Sequence, residues 1–158
     1  MKVEILSGLW IASFDELGAT KPLIKKQIDH LINCSTTNTD KYILALNEKY
    51  KTKIKYVNLP INDDPENIKR NSLLLTDNMN DITEIIHNNL KSNKNVMIIC
   101  NSGIQSSYTI AICYLMRYGR IDIDYAVSSL LSKNNHLDHT TNKYNYCVKQ
   151  YYINLKQK

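Results

Sequence analysis

Arginine is scarce in this 158-residue chain: Arg70, Arg117 and Arg120 stand among 20 basic residues, and lysine carries the rest of the positive charge. The excess over 15 acidic residues is a modest +5, spread along the chain. Its densest places, Lys25-Lys26 and the alternation Lys49, Lys51, Lys53, Lys55, read as a solvated face and the edge of a strand, where lysine discourages edge pairing. No basic stripe interleaved with aromatics is present, so nucleic acid is not an expected partner. No apolar run approaches the ~20 residues that a membrane helix needs. Ile5–Ala12 has the length of a short signal core. Glu4 precedes it, Asp15 and Glu16 follow, and no small-residue cleavage site is evident, so no signal peptide is expected. Cys34, Cys100, Cys113 and Cys147 form no CxxC pair, and their wide spacing argues for a reducing cytosol over a disulfide framework. Asn33-Cys34-Ser35 matches a glycosylation sequon, which matters only in a secreted chain. Glycine (4) and proline (3) are few, and no repeat, linker or low-complexity tract is visible. The chain therefore reads as one domain over residues 1–158. No cofactor is expected. His136, His139 and Thr140-Thr141 read as loop and cap, because no third metal ligand is evident.

What remains is the composition of a folded domain, with 43% hydrophobic and 22% charged residues. Two short strands and a turn fit residues 3–12, and a helix start fits Ser13 with Asp15 and Glu16. A buried strand fits Ile28, Leu31 and Ile32. Asp40 is placed to cap a helix reaching about Tyr50, with Ile43, Leu44, Leu46 and Asn47 on its inner side. Another strand fits Ile54 to Leu59. Helical spacing runs over 67–91, with a break expected at Thr76-Asp77. Val96–Ile99 is a continuous apolar run, as in a central parallel strand buried on both faces. Helices are then expected over 108–118, from a cap at Asp122 or Asp124 through Ala126, Leu130 and Leu131, and finally through Tyr144, Val148, Tyr151, Tyr152 and Leu155. Strands alternating with helices indicate an α/β class with a mostly parallel central sheet flanked by helices.

The chemistry gathers in Cys100-Asn101-Ser102-Gly103-Ile104-Gln105-Ser106-Ser107. A buried strand ends in a cysteine, a tight loop follows, and a helix begins on the far side. Backbone N–H groups and the positive end of a helix dipole then face one concavity, which suits an oxyanion such as phosphate. A cysteine on its floor is placed to act as a thiolate nucleophile. Gly103 permits the turn. Cys100 taken alone also reads as a small buried hydrophobe.

The segment resembles the phosphate-binding loop of cysteine-dependent protein tyrosine phosphatases, specifically the dual-specificity class. That family's pattern is His-Cys, five residues, Arg, then Ser or Thr. The resemblance implies Cys100 as nucleophile, Gly103 as the loop glycine, Ser107 as the hydroxyl that assists thiolate departure, and Asn101, Ser102, Gly103, Ile104, Gln105 and Ser106 as the phosphate-binding set. It extends to Leu9-Trp10-Ile11-Ala12-Ser13 and Leu31-Ile32-Asn33-Cys34 as core strands. Leu59-Pro60-Ile61-Asn62-Asp63 looks like the general-acid loop, with Asp63 in the acid position. Asp63 beside Asp64-Pro65 also reads as a turn or cap residue. The chain's compactness is similar to that of viral members, and its Asn, Ile, Lys and Tyr usage looks like an AT-rich genome, as in large insect DNA viruses such as baculoviruses. The implied compartment is the cytosol, a host cell's if the source is viral.

Two positions depart from the pattern. Ile99 stands where the family has histidine, and Ser106 where it has arginine. The family's arginine grips two equatorial phosphoryl oxygens through its planar fork, and one neutral hydroxyl does not replace it. The resemblance therefore implies a pseudophosphatase with a vestigial nucleophile and acid. Such a protein acts by binding or regulation, with a phosphoprotein or another protein as partner. Two alternatives stand beside it. One is a weakly active phosphatase on phosphoproteins or RNA 5′-phosphates. The other is an oligomerisation role through Tyr144, Tyr146, Tyr151 and Tyr152, including a homodimer.

Overall fold

The computed structural model describes residues 2–62, 64–136 and 142–157. Gly8, at φ +82°, turns β1 (Lys2–Leu6) into β2 (Leu9–Ser13). Two short helices follow, α1 (Asp15–Thr20) and α2 (Pro22–Lys25), then β3 (Ile28–Asn33), α3 (Asp40–Tyr50) and β4 (Lys55–Asn58). A 3-10 turn (Pro65–Asn67) leads into α4 (Ile68–Lys91), followed by β5 (Asn95–Cys100), α5 (Ser106–Gly119), α6 (Ile123–Lys133) and α7 (Asn145–Lys156). The strands form one sheet in the order β1-β2-β5-β3-β4. β1 runs antiparallel to β2, and the other neighbours are parallel.

β5 is the central strand, and its alternation divides the interior. Val96, Ile98 and Cys100 join the core formed with α4, α5, α6 and α7. Met97 and Ile99 join a second core with Leu17, Leu23, Ile43 and Leu46 from α1, α2 and α3. A strand covered on both faces carries apolar residues at every position, which is why this run shows no alternation. Successive β5 side chains point into opposite layers, so Ile99 and Cys100 face different halves of the molecule.

Several local expectations are corrected. α4 is one helix of 24 residues. Thr76 does not break it, because its hydroxyl bonds back to the Ser72 carbonyl (2.8 Å) while Leu75, Met79, Ile82 and Ile86 hold the buried line. Leu44 is 61% exposed, because the buried stripe of α3 is Ile43 and Leu46. Thr39 holds the N-cap position of α3, and Asp40 instead accepts a hydrogen bond from Asn58 Nδ2 (2.7 Å). Asp122 is the cap of α6, accepting from the Tyr125 N–H (3.0 Å). Of the lysine alternation, only Lys55 lies in the edge strand β4, while Lys49 and Lys51 end α3. α2 is a further, single helical turn, with Pro22 at its first position.

The sequon asparagine is fully buried. Asn33 Nδ2 donates to the Thr37 carbonyl and to Asn58 Oδ1 (2.8 Å each), and Asn33 Oδ1 accepts from the Ser35 N–H (3.0 Å) and Oγ (2.7 Å). In the folded chain it is therefore a structural knot and has no path to a glycan. Asn33→Ala strands buried polar partners and is expected to cost about 1–3 kcal/mol, measured by urea unfolding.

Candidate active site

Parallel strands end together, so the loops at their C-terminal edge gather on one side. The Phe14 N–H donates to the Cys100 carbonyl (2.9 Å), and the Cys34 N–H donates to the Ile99 carbonyl (2.7 Å). These bonds carry the ladder to the last residue of β5. The chain then curls back on itself. Gly103 sits at φ +78°, and its N–H donates to Cys100 Sγ (3.1 Å). Ser107 Oγ lies 3.0 Å from the same sulfur, with either group able to donate. Ser102 Oγ accepts from the Ile104 N–H (3.3 Å). α5 begins at Ser106, and the Gln105 carbonyl accepts from both the N–H (3.0 Å) and hydroxyl (3.1 Å) of Thr109. Thus Cys100, Gly103 and Ser107 meet within one loop. Asn101 and Ser102 are exposed at its rim, Ile104 is half-buried, and Gln105 is buried.

Gly103 is needed for two reasons. Its φ is left-handed, and a Cβ there would come within 3.0 Å of the Ser13 nitrogen and 3.1 Å of the Ala12 carbonyl carbon. The loop therefore lies directly on the backbone of β2. Gly103→Ala combines backbone strain with a clash that side-chain motion cannot relieve. It is expected to cost about 1–3 kcal/mol, read by chemical denaturation.

Ser106 is fully buried, and its Oγ finds no hydrogen-bond partner among the described residues. Ile99 is also fully buried, in the core on the other face of the sheet. The arginines sit elsewhere. Arg117 Nη1 donates to the Asn80 carbonyl (2.7 Å) and to Thr83 Oγ1 (2.9 Å), which commits it to α4. Arg120 is the left-handed residue closing α5, at the end away from the loop. Arg70 is exposed on α4.

Asp63 lies outside the described residues, as do His139, Thr140 and Thr141. The segment just before Asp63 is fastened to α4 through Asn71. Asn71 Nδ2 donates to the Asn62 carbonyl and also reaches the buried Tyr144 hydroxyl (3.2 Å). A second brace joins the residues before α7 to the loop. The Lys143 N–H donates to Gln105 Oε1 (2.9 Å), and Asn142 Nδ2 donates to Thr109 Oγ1 (3.0 Å). Asn71, Asn142 and Lys143 were missed in the sequence. Asn71 did leave a signal, as a polar residue on the line of Leu75, Met79, Ile82 and Ile86. Asn142 and Lys143 left none, because their partners are more than 30 positions away in the chain. The four cysteines are buried and none is in a disulfide, and no cluster of three metal-ligating side chains occurs among the described residues.

The sequence model described as "Dual specificity phosphatase, catalytic domain" matches residues 9–152. No curated protein matches the chain. Among solved structures, human DUSP28 is similar with a TM-score of 0.76 at 15% identity, covering 98% of this chain and 95% of that one. The PTP-2 phosphatase of Cydia pomonella gives 0.73 at 18% identity, covering 94% and 88%. The human tyrosine phosphatase-like serine/threonine/tyrosine-interacting protein gives 0.70 at 18% identity, covering 95% and 94%. At such identities these likenesses establish the fold.

Proposed function

Because the chain belongs to the dual-specificity phosphatase family, we propose that it is a pseudophosphatase, which keeps the fold and acts by binding or regulation rather than by turnover. In the family's chemistry a thiolate attacks phosphorus, an aspartic acid protonates the leaving oxygen, and water then releases phosphate. The protein's main contribution is electrostatic stabilisation of the transferring phosphoryl group. The observation that carries the reading is Ser106, a buried neutral side chain at the arginine position. Arg117 is held by α4, and Arg120 closes α5 at the end away from the loop, which leaves the exposed Arg70 as the one arginine near the acid-loop segment in sequence. Ile99 adds neither hydrogen bond nor charge. The backbone of the loop and the start of α5 remain suited to an oxyanion. One structural relative is itself named as a phosphatase-like interacting protein, which accords with this reading. A phosphorylated protein is the proposed partner, in the cytosol. Compact size and AT-rich residue usage support a viral source.

Titration with O-phosphotyrosine tests the proposal. Weak binding by calorimetry without release of inorganic phosphate is the expected result. Phosphate release that Cys100→Ser abolishes would replace it with the second reading, a weakly active phosphatase. That reading draws its support from the retained meeting of Cys100 Sγ with Gly103 and Ser107.

A further inference from the structure

β5 lies between β2 and β3 in the sheet, so the segments that leave β2 and β3 flank the Cys100 loop. Between those two segments is a cavity of about 210 Å³. Phe14, Leu17 and Gly18 line it from the β2 side, and Thr37, Asn38 and Tyr42 from the β3 side, together with Thr39. Its first wall is joined to the loop. The Phe14 N–H donates to the Cys100 carbonyl (2.9 Å), and the backbone of Ser13, one residue earlier, underlies Gly103. The second wall is tied to the same edge. The Cys34 N–H donates to the Ile99 carbonyl (2.7 Å), and the Thr37 carbonyl accepts from Asn33 Nδ2 (2.8 Å). The cavity therefore begins one residue from the floor of the loop.

The surface it offers is apolar. Leu17 is buried, and Phe14 and Tyr42 are half-buried. The polar groups around it are already engaged within the chain. The Tyr42 hydroxyl donates to the Leu17 carbonyl (2.8 Å), and the Thr39 hydroxyl donates to Asn58 Oδ1 (2.9 Å). Asn38 Oδ1 accepts from the Asp40 N–H (2.7 Å), and Asn38 Nδ2 donates to Asp40 Oδ2 (3.3 Å). Among the described residues no charged side chain lines the cavity. Small-molecule pockets start at roughly 300 Å³, so this smaller space suits a single side chain. Gly18 leaves part of the wall bare, because a Cβ there would meet no other part of the chain within 4 Å. Gly18, Thr37 and Asn38 are exposed at the rim.

We infer that this cavity selects among phosphorylated segments. With the phosphate in the Cys100 loop, it receives a leucine or aromatic side chain about one or two positions away along an extended peptide, which advances ~3.4 Å per residue. That role builds on the phosphoprotein binding proposed above and gives it a sequence preference. A phosphate is common to every phosphorylated segment, so discrimination has to come from what flanks it. Here the flank meets an apolar site whose own polar atoms are satisfied, and a polar or charged side chain placed there would lose water without gaining a partner.

The test measures the affinities of phosphotyrosine peptides for the full chain by fluorescence anisotropy. One peptide has alanine on both sides of the phosphotyrosine. The others carry leucine or phenylalanine at each of the two positions before it and after it. At least one apolar placement is expected to bind on the order of tenfold more tightly than the alanine peptide, as burial of one such side chain allows. Gly18→Leu fills the cavity from its own wall. It is expected to erase the gain and leave the affinity for the alanine peptide unchanged. Gly18 is exposed in α1, where leucine is also the better helix former, so this variant is expected to fold. Phe14→Ala removes a wall and is expected to shrink the gain, with circular dichroism and thermal unfolding as the check on both variants. Equal affinity for all the phosphopeptides overturns the inference. So does a gain that survives in Gly18→Leu, or binding of the apolar peptide that is undiminished without its phosphate. Equal affinities among peptides that do bind leave the proposed function standing. Failure of every phosphopeptide to bind removes that function and the selectivity built on it.

Discussion

Ser106→Arg is expected to hydrolyse para-nitrophenyl phosphate on the order of 10³ faster than the wild type, the lower end of what an arginine contributes to phosphoryl transfer. The rest of the loop is in place, with the Gly103 N–H and the Ser107 hydroxyl both on the Cys100 sulfur. Ser106 is fully buried, so the longer side chain must extend toward the open rim, where Asn101 and Ser102 are exposed. Ser106→Lys separates charge from geometry. A point charge lacks the planar fork, and its gain is expected to be much smaller. Adding Cys100→Ser to Ser106→Arg is expected to return the rate to background. Adding Ile99→His is not a simple improvement. Ile99 faces the core with α1, α2 and α3, and an imidazole there must bury polar nitrogens at about 1–3 kcal/mol unless they find partners. A folded Ser106→Arg with no gain would mean that the site has lost more than its arginine.

The largest stability effect is expected at the middle of β5. Ile98 is fully buried, lies in register with Ile11 on β2 and Ile32 on β3, and packs in the larger core. Ile98→Ala removes buried apolar volume where hydrogen-bonded strands on both sides prevent collapse. A loss of about 2–5 kcal/mol is expected. At roughly 2–4 °C per kcal/mol for a chain of this length, calorimetry should show a fall in Tm on the order of 10 °C. A shift within 2 °C, allowing roughly 1 kcal/mol, would mean that the centre of the sheet repacks freely. The Leu44→Ala change serves as a control, since Leu44 is mostly exposed, and is expected to stay within about 0.5 kcal/mol of the wild type.

The loop was legible because its parts are contiguous. An apolar run, a cysteine, a glycine and a helix start follow one another, and the chain has only to turn once to bring Cys100, Gly103 and Ser107 together. The parallel sheet was legible for a related reason, since a strand covered on both faces reads as unbroken apolar sequence. Features that depend on a distant partner were not. Thr76 looks like a helix breaker until Ser72 and Cys147 are seen to take up its hydroxyl. Asp40 looks like a cap until Asn58, 18 residues on, claims its carboxylate. The sequon looks like a surface signal until Asn33 proves to be tied to Ser35, Thr37 and Asn58. The tyrosines of the last helix divide in the same way. Tyr144 and Tyr151 are core residues, and Tyr146 alone of the four is mostly exposed. Their spacing gives the face, while the neighbouring helix decides how much of it stays open.

On the proposed reading, Ser106 leaves the family's chemistry without its main electrostatic support. The most direct measurement is steady-state hydrolysis of para-nitrophenyl phosphate by the wild type beside Cys100→Ser, each confirmed as folded. The two are predicted to be indistinguishable from each other and from buffer. Turnover by the wild type that disappears in Cys100→Ser would contradict the claim and show a working nucleophile in a loop without arginine.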